Sequence, residues 1–341
     1  MRALGRHGAL TPETARQKAR QALGELAQGR DPFLVSGSPA SASNVEASFG
    51  GQVPRFLERQ RAALKRRSLI EVTRHLMVHA APLNAKPLTS VGRRDIAALL
   101  ADVEAASGPY ARNHVRASLS AFWTWAIAEG LVEANPVAGT VKAPAQSRDR
   151  VLSDHELAQV WRSLPVGDFG DIVRLLLLTG QRREEIGALQ WSEINLANRV
   201  ITLPPARVKN GRPHQVPLSE PALAILAPRW AKREGPAVFG RDGRDRFTNW
   251  SNTKAALDRR LSGMPDWHLH DLRRTCATGM AKLGINLPVI ERVLNHVSGS
   301  FTGIVGVYQH HDFAEEKRDA LERWAAHLST IVGLAKAAAA A

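Results

Sequence analysis

"LLLLTGQRREEIGALQW", Leu175 to Trp191, decides how the second half of this chain folds. The leucine run reads as an apolar helix. Thr179-Gly180 then breaks it, since glycine accepts the left-handed turn that ends a helix. A new helix follows, carrying Arg182 and Glu185. A turn of this kind lets an arginine project from a helix start, where backbone N–H groups also favour an anion. The plainer alternative is a surface pairing of arginine and glutamate, common on helices.

Outward from this turn the pattern is mostly helical. Upstream, "SDHE" at Ser153 to Glu156 is a capping box that opens a helix and, with it, a second domain. Downstream, "VITL" and "HQVPL" are short extended runs around "KNGR", and Asn-Gly is a strong hairpin signal. Lys209 stands at the start of that turn, where a lysine on a mobile tip can reach into a site and donate a proton, although solvated turn lysines are far commoner. "HLHDLRRTCATGMAKLG" follows, with His270 and Arg273 at i and i+3 on one helical face. Such a pair can hold one phosphate between an imidazole and a planar guanidinium. "VIERVLNHVSGS" places His296 after an apolar helix and before a Gly/Ser loop, and "FTGIVGVYQHHDF" places Tyr308 twelve residues later. Taken singly, His296 reads more readily as a satisfied core or capping histidine and Tyr308 as a half-buried aromatic. "YQHHDF" also suggests a metal, but adjacent histidines on a helix point in different directions, so no metal site is expected.

The first half is a helical segment too. "LTPETARQKARQALGELAQGRDPF" reads as a helix capped by Thr11 and ended by Gly29 and Pro32, followed by a flexible linker, "VSGSPASASN". In "DIAALLADVE" the residues Ile96, Leu99, Leu100 and Val103 make one apolar face, as Val115, Leu119, Phe122 and Ala126 do in the next helix. Gly130 sits where a C-terminal cap belongs. "ANPVAGTVKAPAQSRDR" reads as an interdomain linker. The fold class is therefore mainly α with a small β-sheet: a helical domain and a mixed α/β domain.

Charge and composition restrict the partners. Forty-six Lys+Arg against 32 Asp+Glu give a net charge of +14, and the pI is near 10.7. Such an excess implies a polyanion, most plausibly nucleic acid. Residues 1–148 carry 20 Lys+Arg and 11 Asp+Glu. Lys65, Arg66, Arg112 and Arg116 are the candidates for phosphate contacts, against the alternative of a solvated face. The single cysteine, Cys276, excludes an intrachain disulfide framework and a cysteine-based zinc cluster. No apolar run approaches a membrane span, and no signal-peptide profile opens the chain. A soluble cytoplasmic protein, nucleoid-associated when bound to DNA, is expected.

The order of the pieces is the informative part. G-x-R-x-x-E (Gly180, Arg182, Glu185), a hairpin lysine (Lys209), H-x-x-R (His270, Arg273), L-x-H (Leu294, His296) and then Tyr308 resemble the tyrosine recombinases, the phage integrase family. The resemblance covers the second domain. It extends to the basic bundle with "SAFWTWAIAEGLVEANPV", which looks like the family's core-binding domain. Residues 1–34 look like only the tail of the arm-type DNA-binding domain of proteobacterial prophage and island integrases, without its preceding strands. The implied organisation is that arm-domain remnant, a linker at 35–44, a core-type domain at 45–134, a linker at 135–150, a catalytic domain of the tyrosine recombinase/type IB topoisomerase type at 151–330 and a tail at 331–341.

The resemblance implies a chemistry without metal or ATP, so no cofactor is expected. A phosphodiester is a poor electrophile, and side chains must then supply positive charge and proton transfers. By family resemblance Tyr308 is the nucleophile, Arg182 and Arg273 hold the non-bridging oxygens, Lys209 protonates the leaving oxygen, His270 assists as base, His296 hydrogen-bonds the phosphate and Glu185 orients the site. The implied partners are double-stranded attachment-site DNA, further copies of the chain in a homotetramer, and DNA-bending and excision accessory proteins. "EEKRDALERWAAHLSTIV", with Leu321, Trp324, Leu328 and Ile331 on one face, is expected by the resemblance to dock on an adjacent subunit, the alternative being packing on its own domain. Relaxation of DNA in the manner of a type IB topoisomerase, and a decayed integrase that only binds DNA, are the alternative functions.

Overall fold

Ser48 caps the first helix of the bundle, its hydroxyl accepting the Gly51 N–H at 3.1 Å. That helix, α1 (Phe49–Ala63), is followed by α2 (Arg66–Arg74), which runs into a single π-turn over His75–His79, and by α3 (Arg93–Ala128). The computed structural model describes residues 13–14, 16–17, 19–20, 47–144, 149–296 and 311–333. Within it the chain divides into two packing units, Met1–Ser147 and Arg148–Ala341. Of residues 1–46 the six described are all helical.

α3 is two helices in sequence and one in span. Gly108 interrupts it at φ 83°, ψ 173°, just before Pro109, and both apolar faces read from the sequence are buried on either side of that break. They close on an aromatic centre in which Phe122 meets Phe49 at 4.8 Å and Phe56 at 5.5 Å between ring centroids. Gly130 takes φ 71° where the helix ends, as a C-terminal glycine should. The segment read as a linker behaves in two parts. Residues 135–143 lie along α3, with Val137 and Ala143 buried. There Asn113 both accepts from the Ala143 N–H (3.0 Å) and donates to its carbonyl (2.9 Å). Residues 145–148 lie outside the described residues.

The second unit begins with α4 (Asp154–Ser163), which has the capping box expected of it: Ser153 Oγ accepts from Glu156 N, and Glu156 Oε2 accepts from Ser153 N at 2.8 Å. Next come α5 (Asp168–Thr179) and the short α6 (Arg183–Gly187). An antiparallel sheet follows in the order β1 (Ile194–Asn195), β2 (Val200–Leu203), β3 (His214–Pro217), with Leu203 opposite His214. Asn-Gly does not form a tight two-residue turn here. Residues 204–213 make a longer loop, because Pro204 and Pro205 stop β2 and Val208 is drawn wholly into the core. Helices α7 (Glu220–Ala231), α8 (Trp250–Arg260), α9 (Leu269–Lys282), α10 (Leu287–Val293) and α11 (Ala314–Val332) complete the unit.

α11 corrects an expectation. Its apolar face does not wait for a neighbouring subunit: Leu321, Trp324 and Leu328 are each 1% exposed within this unit's own core. Trp324 Nε1–H donates to the Leu177 carbonyl at 2.7 Å, so the indole's polar atom is satisfied at depth. The ring lies over Gly279 of α9, where a Cβ would stand 2.2 Å from it. Ile331, also read on that face, is partly buried. Among the described residues no helix is long and apolar enough to cross a membrane.

Candidate active site

The turn at Thr179–Arg182 is built as its sequence suggests. Gly180 takes φ +64° at the end of α5, and a Cβ there would meet Leu294 at 2.9 Å and the Cys276 sulfur at 3.0 Å. Both the backbone conformation and the crowding therefore require glycine. Arg182 follows as the cap of α6. Glu185, 3% exposed, accepts from the Arg182 backbone N–H at 2.9 Å and from its Nη1 at 2.8 Å. The buried carboxylate is thus paired and hydrogen-bonded, the condition under which burial is tolerated. It fixes a guanidinium that remains partly exposed.

Arg273 projects from α9 and is 4% exposed. Its Nη1 donates to the Gly180 carbonyl at 2.9 Å and its Nη2 to the Leu294 carbonyl, so it ties the α5–α6 turn to the end of α10. Burial, then repulsion from Arg182, lowers its pKa to about 10, with Glu185 opposing. It is still a cation at neutral pH. His270, one turn earlier and solvent-exposed, has its pKa lowered by desolvation and then by Arg273 and Arg274. His296 is pushed down to about 4 by desolvation, then by Arg273, Arg182 and His270. Both shifts favour the neutral imidazole at pH 7. Arg182, Glu185, Arg273, His270 and His296 therefore share one electrostatic neighbourhood, as their order in the sequence implied.

A buried network beneath these groups escaped the sequence reading. Gln181, 2% exposed, donates from Nε2 to the Thr179 carbonyl (2.7 Å) and the Val293 carbonyl (2.9 Å). Its Oε1 then accepts from His214 Nε2 at 3.1 Å, which fixes the His214 tautomer. His214 is 5% exposed, and burial, Lys317 and Arg273 lower its pKa to about 3. Lys317 on α11 is buried as well and donates to the Gln215 carbonyl at 3.3 Å. The only sequence signal for this network was its setting: a glutamine beside the arginine of G-x-R, and a histidine opening a core strand.

Lys209 is exposed on the 204–213 loop, but that loop is anchored on both sides of it. Arg207 donates to the Glu184 and Glu185 carbonyls at 3.2 and 2.8 Å, and Asn210 bonds Asn295, the neighbour of His296. The lysine is thereby held between the segments that carry Arg182 and His296. Tyr308 lies outside the described residues.

The remaining candidates belong to the first unit. Lys65 and Arg66 are exposed at the start of α2. Arg112 and Arg116 are bonded within the unit. Arg112 Nη1 pairs with Glu104 and its Nη2 donates to the Val141 carbonyl at 3.0 Å. Arg116 Nε donates to Thr140 Oγ1 at 2.9 Å. Both are used in holding residues 140–141 against α3.

A model of the phage integrase family matches residues 162–315, which takes in every proposed catalytic position from Arg182 to Tyr308. Prophage integrase IntZ of Escherichia coli (strain K12) is 27% identical across 97% of this chain and 84% of its own length. These matches support a tyrosine recombinase of the phage integrase family. The recombinase is also similar to tyrosine recombinase XerC of Mycobacterium tuberculosis, at 28% identity over 53% of this chain and 66% of that one. In fold it is similar to lambda integrase in a tetramer bound to a Holliday junction, with a TM-score of 0.62 and 21% identity over 85% of this chain and 89% of that one. The matches support site-specific recombination as its activity.

Proposed function

We propose that residues 151–330 cut and rejoin DNA through a covalent 3′-phosphotyrosyl intermediate formed by Tyr308. The observation that carries this is the convergence of two guanidiniums, Arg182 and Arg273, on two neutral histidines, with Arg273 kept nine-tenths buried beside another cation. Holding like charges together is unfavourable, and a phosphate dianion-like transition state relieves it. Arg182 and Arg273 bind the non-bridging oxygens. The Tyr308 oxygen attacks phosphorus as His270 assists removal of its proton, and His296 donates a hydrogen bond to the phosphate. The bond from phosphorus to the 5′ oxygen breaks, and Lys209 supplies the proton that leaves a 5′-hydroxyl. Attack by the 5′-hydroxyl of a partner strand reverses the step and releases the tyrosine. The bond energy is conserved, so no nucleotide hydrolysis is needed.

The basic helical unit is assigned to the core site flanking the cleavage point, through Lys65 and Arg66 at its exposed edge. Four copies on two DNA duplexes form the working assembly, by analogy with the tetramer on a Holliday junction. The product is the integrated or excised mobile element.

Replacing the 5′-bridging oxygen of the substrate with sulfur tests the division of labour. Sulfur leaves without a proton. It should restore cleavage to Lys209→Ala, which is otherwise slowed ~10²–10⁴-fold, and not to Arg182→Ala or Arg273→Ala. Equal rescue of the arginine variants, or none of Lys209→Ala, removes Lys209 from the role of general acid.

A further inference from the structure

We propose that Asn210 and Asn295 form an amide clasp that positions Lys209 for proton delivery to the leaving oxygen, which makes both asparagines positioning residues for the cleavage step. The inference rests on the role given to Lys209 above.

Three observations carry it. The first is the contact itself. Asn210 Nδ2 donates to Asn295 Oδ1 at 2.6 Å and, at 3.4 Å, to the Asn295 carbonyl; a longer contact of 3.5 Å runs back from Asn295 Nδ2 to Asn210 Oδ1. The two residues are 85 positions apart in sequence, so this is a tertiary bond and no part of a local turn. The second is the placing of Lys209 between two anchors. Two residues before it, Arg207 is fixed to the carbonyls of α6, the helix that Arg182 caps. One residue after it, Asn210 is fixed to Asn295, the neighbour of His296. A lysine stem has four rotatable bonds and a large conformational freedom, so its ammonium is well placed only if its Cα is.

The third observation is the conformation of Asn295. It holds φ +51°, left-handed, directly after α10, and the His296 N–H then returns to the Glu291 carbonyl at 2.9 Å. Asparagine is among the few side-chain-bearing residues that enter this region readily. It therefore does two things at once: it ends the helix so that His296 faces the arginines, and it presents an amide to the loop that bears the lysine. The choice of a neutral amide is also explained. A carboxylate at position 210 would stand next to Lys209, and one at 295 next to the Leu294 carbonyl that Arg273 holds, and either would compete with the phosphate for those cations.

The clasp thus couples proton delivery to the histidine end of the site. Breaking it leaves Arg182 and Arg273 where they are, because their own bonds run to Glu185, Gly180 and Leu294. Its loss should therefore resemble the loss of the lysine and not the loss of an arginine.

Single-turnover cleavage of ordinary DNA and of DNA with sulfur at the 5′-bridging position distinguishes these cases. Asn210→Ala removes the amide from the loop. Asn295→Gly removes it from the other side and keeps the left-handed backbone accessible, so it serves if the first variant folds poorly. Each should slow ordinary cleavage by about tenfold to a hundredfold, the range expected of a misplaced reacting group. Each should cleave the sulfur substrate as fast as the parent protein does. The double variant Lys209→Ala/Asn210→Ala should be no slower than Lys209→Ala alone, since a clasp with no lysine to position has nothing left to contribute. Ordinary rates in the asparagine variants, or slow rates on both substrates while sulfur still rescues Lys209→Ala, would overturn the clasp and leave the lysine's role intact. Failure of sulfur to rescue Lys209→Ala itself would instead overturn the reading on which the clasp rests.

Discussion

Arg273 is held by two backbone carbonyls from separate segments, at Gly180 and Leu294, and its charge is opposed by Arg182. A lysine has one nitrogen and cannot bridge both carbonyls in the plane of a guanidinium. Arg273→Lys should accordingly lose cleavage almost as fully as Arg273→Ala, by at least ~10²–10³ in single-turnover rate, with DNA affinity changed far less. Recovery of most of the rate by lysine would show that charge alone suffices there. His214 makes a second prediction, about pH. Its pKa is near 3 in the folded protein, through burial, Lys317 and Arg273, and about 6.5 when unfolded. Between those values the unfolded chain binds a proton that the native chain refuses, so stability is lost as pH falls below about 6.5 and is fully present above it. At pH 5 the loss is roughly 2 kcal/mol. His214→Gln keeps an N–H for Gln181 and does not titrate. Urea unfolding at pH 7 and pH 5 should therefore show a smaller acid loss in the variant, and parallel losses would refute the assignment. Arg182, Glu185, His270, Arg273 and His296 were all legible in the sequence, because each sits at a fixed offset in a short motif. Gln181 and His214 were not. Their roles depend on what lies across the core from them, and nothing within a few residues announces it.

Helices and turns were legible where their chemistry is local. The Ser153 capping box, the glycine at the end of α5 and the two apolar faces of α3 all appear as read. Two readings failed for want of long-range information. The Asn-Gly pair signalled a tight turn, but the burial of Val208 and the bonds of Arg207 and Asn210 hold the loop in a wider path. The amphipathic face of α11 was correctly found, and its partner was not, since an apolar stripe cannot say whether its cover is in the same chain. Trp324 settles that in favour of this unit's own core. Trp324→Ala should therefore destabilise the protein by about 3–5 kcal/mol at equilibrium in dilute solution, independently of protein concentration. A cost that appears only in the assembled state would restore docking on a neighbour.

On the scale of the molecule, the excess of positive charge is the part of the function that composition alone made visible. Composition did not say which arginines serve DNA. Arg116 bonds Thr140 and Arg112 pairs with Glu104, whereas Lys65 and Arg66 are exposed. The logarithm of DNA affinity should fall linearly with the logarithm of salt concentration. Neutralising Lys65 or Arg66 should make that slope shallower by about 0.9 each, and neutralising Arg116 should leave it unchanged. A shallower slope for Arg116→Ala would return that residue to the DNA contacts. The direct question is whether Tyr308 forms the bond to DNA. A nicked attachment-site substrate that traps the cleaved strand should give a protein–DNA adduct stable in denaturing gels, and proteolysis followed by mass spectrometry should place the nucleotide on Tyr308. Tyr308→Phe, which removes only the hydroxyl, should bind the same DNA with nearly the same affinity and give no adduct. Adduct formation by Tyr308→Phe, or attachment at any other residue, would contradict the mechanism.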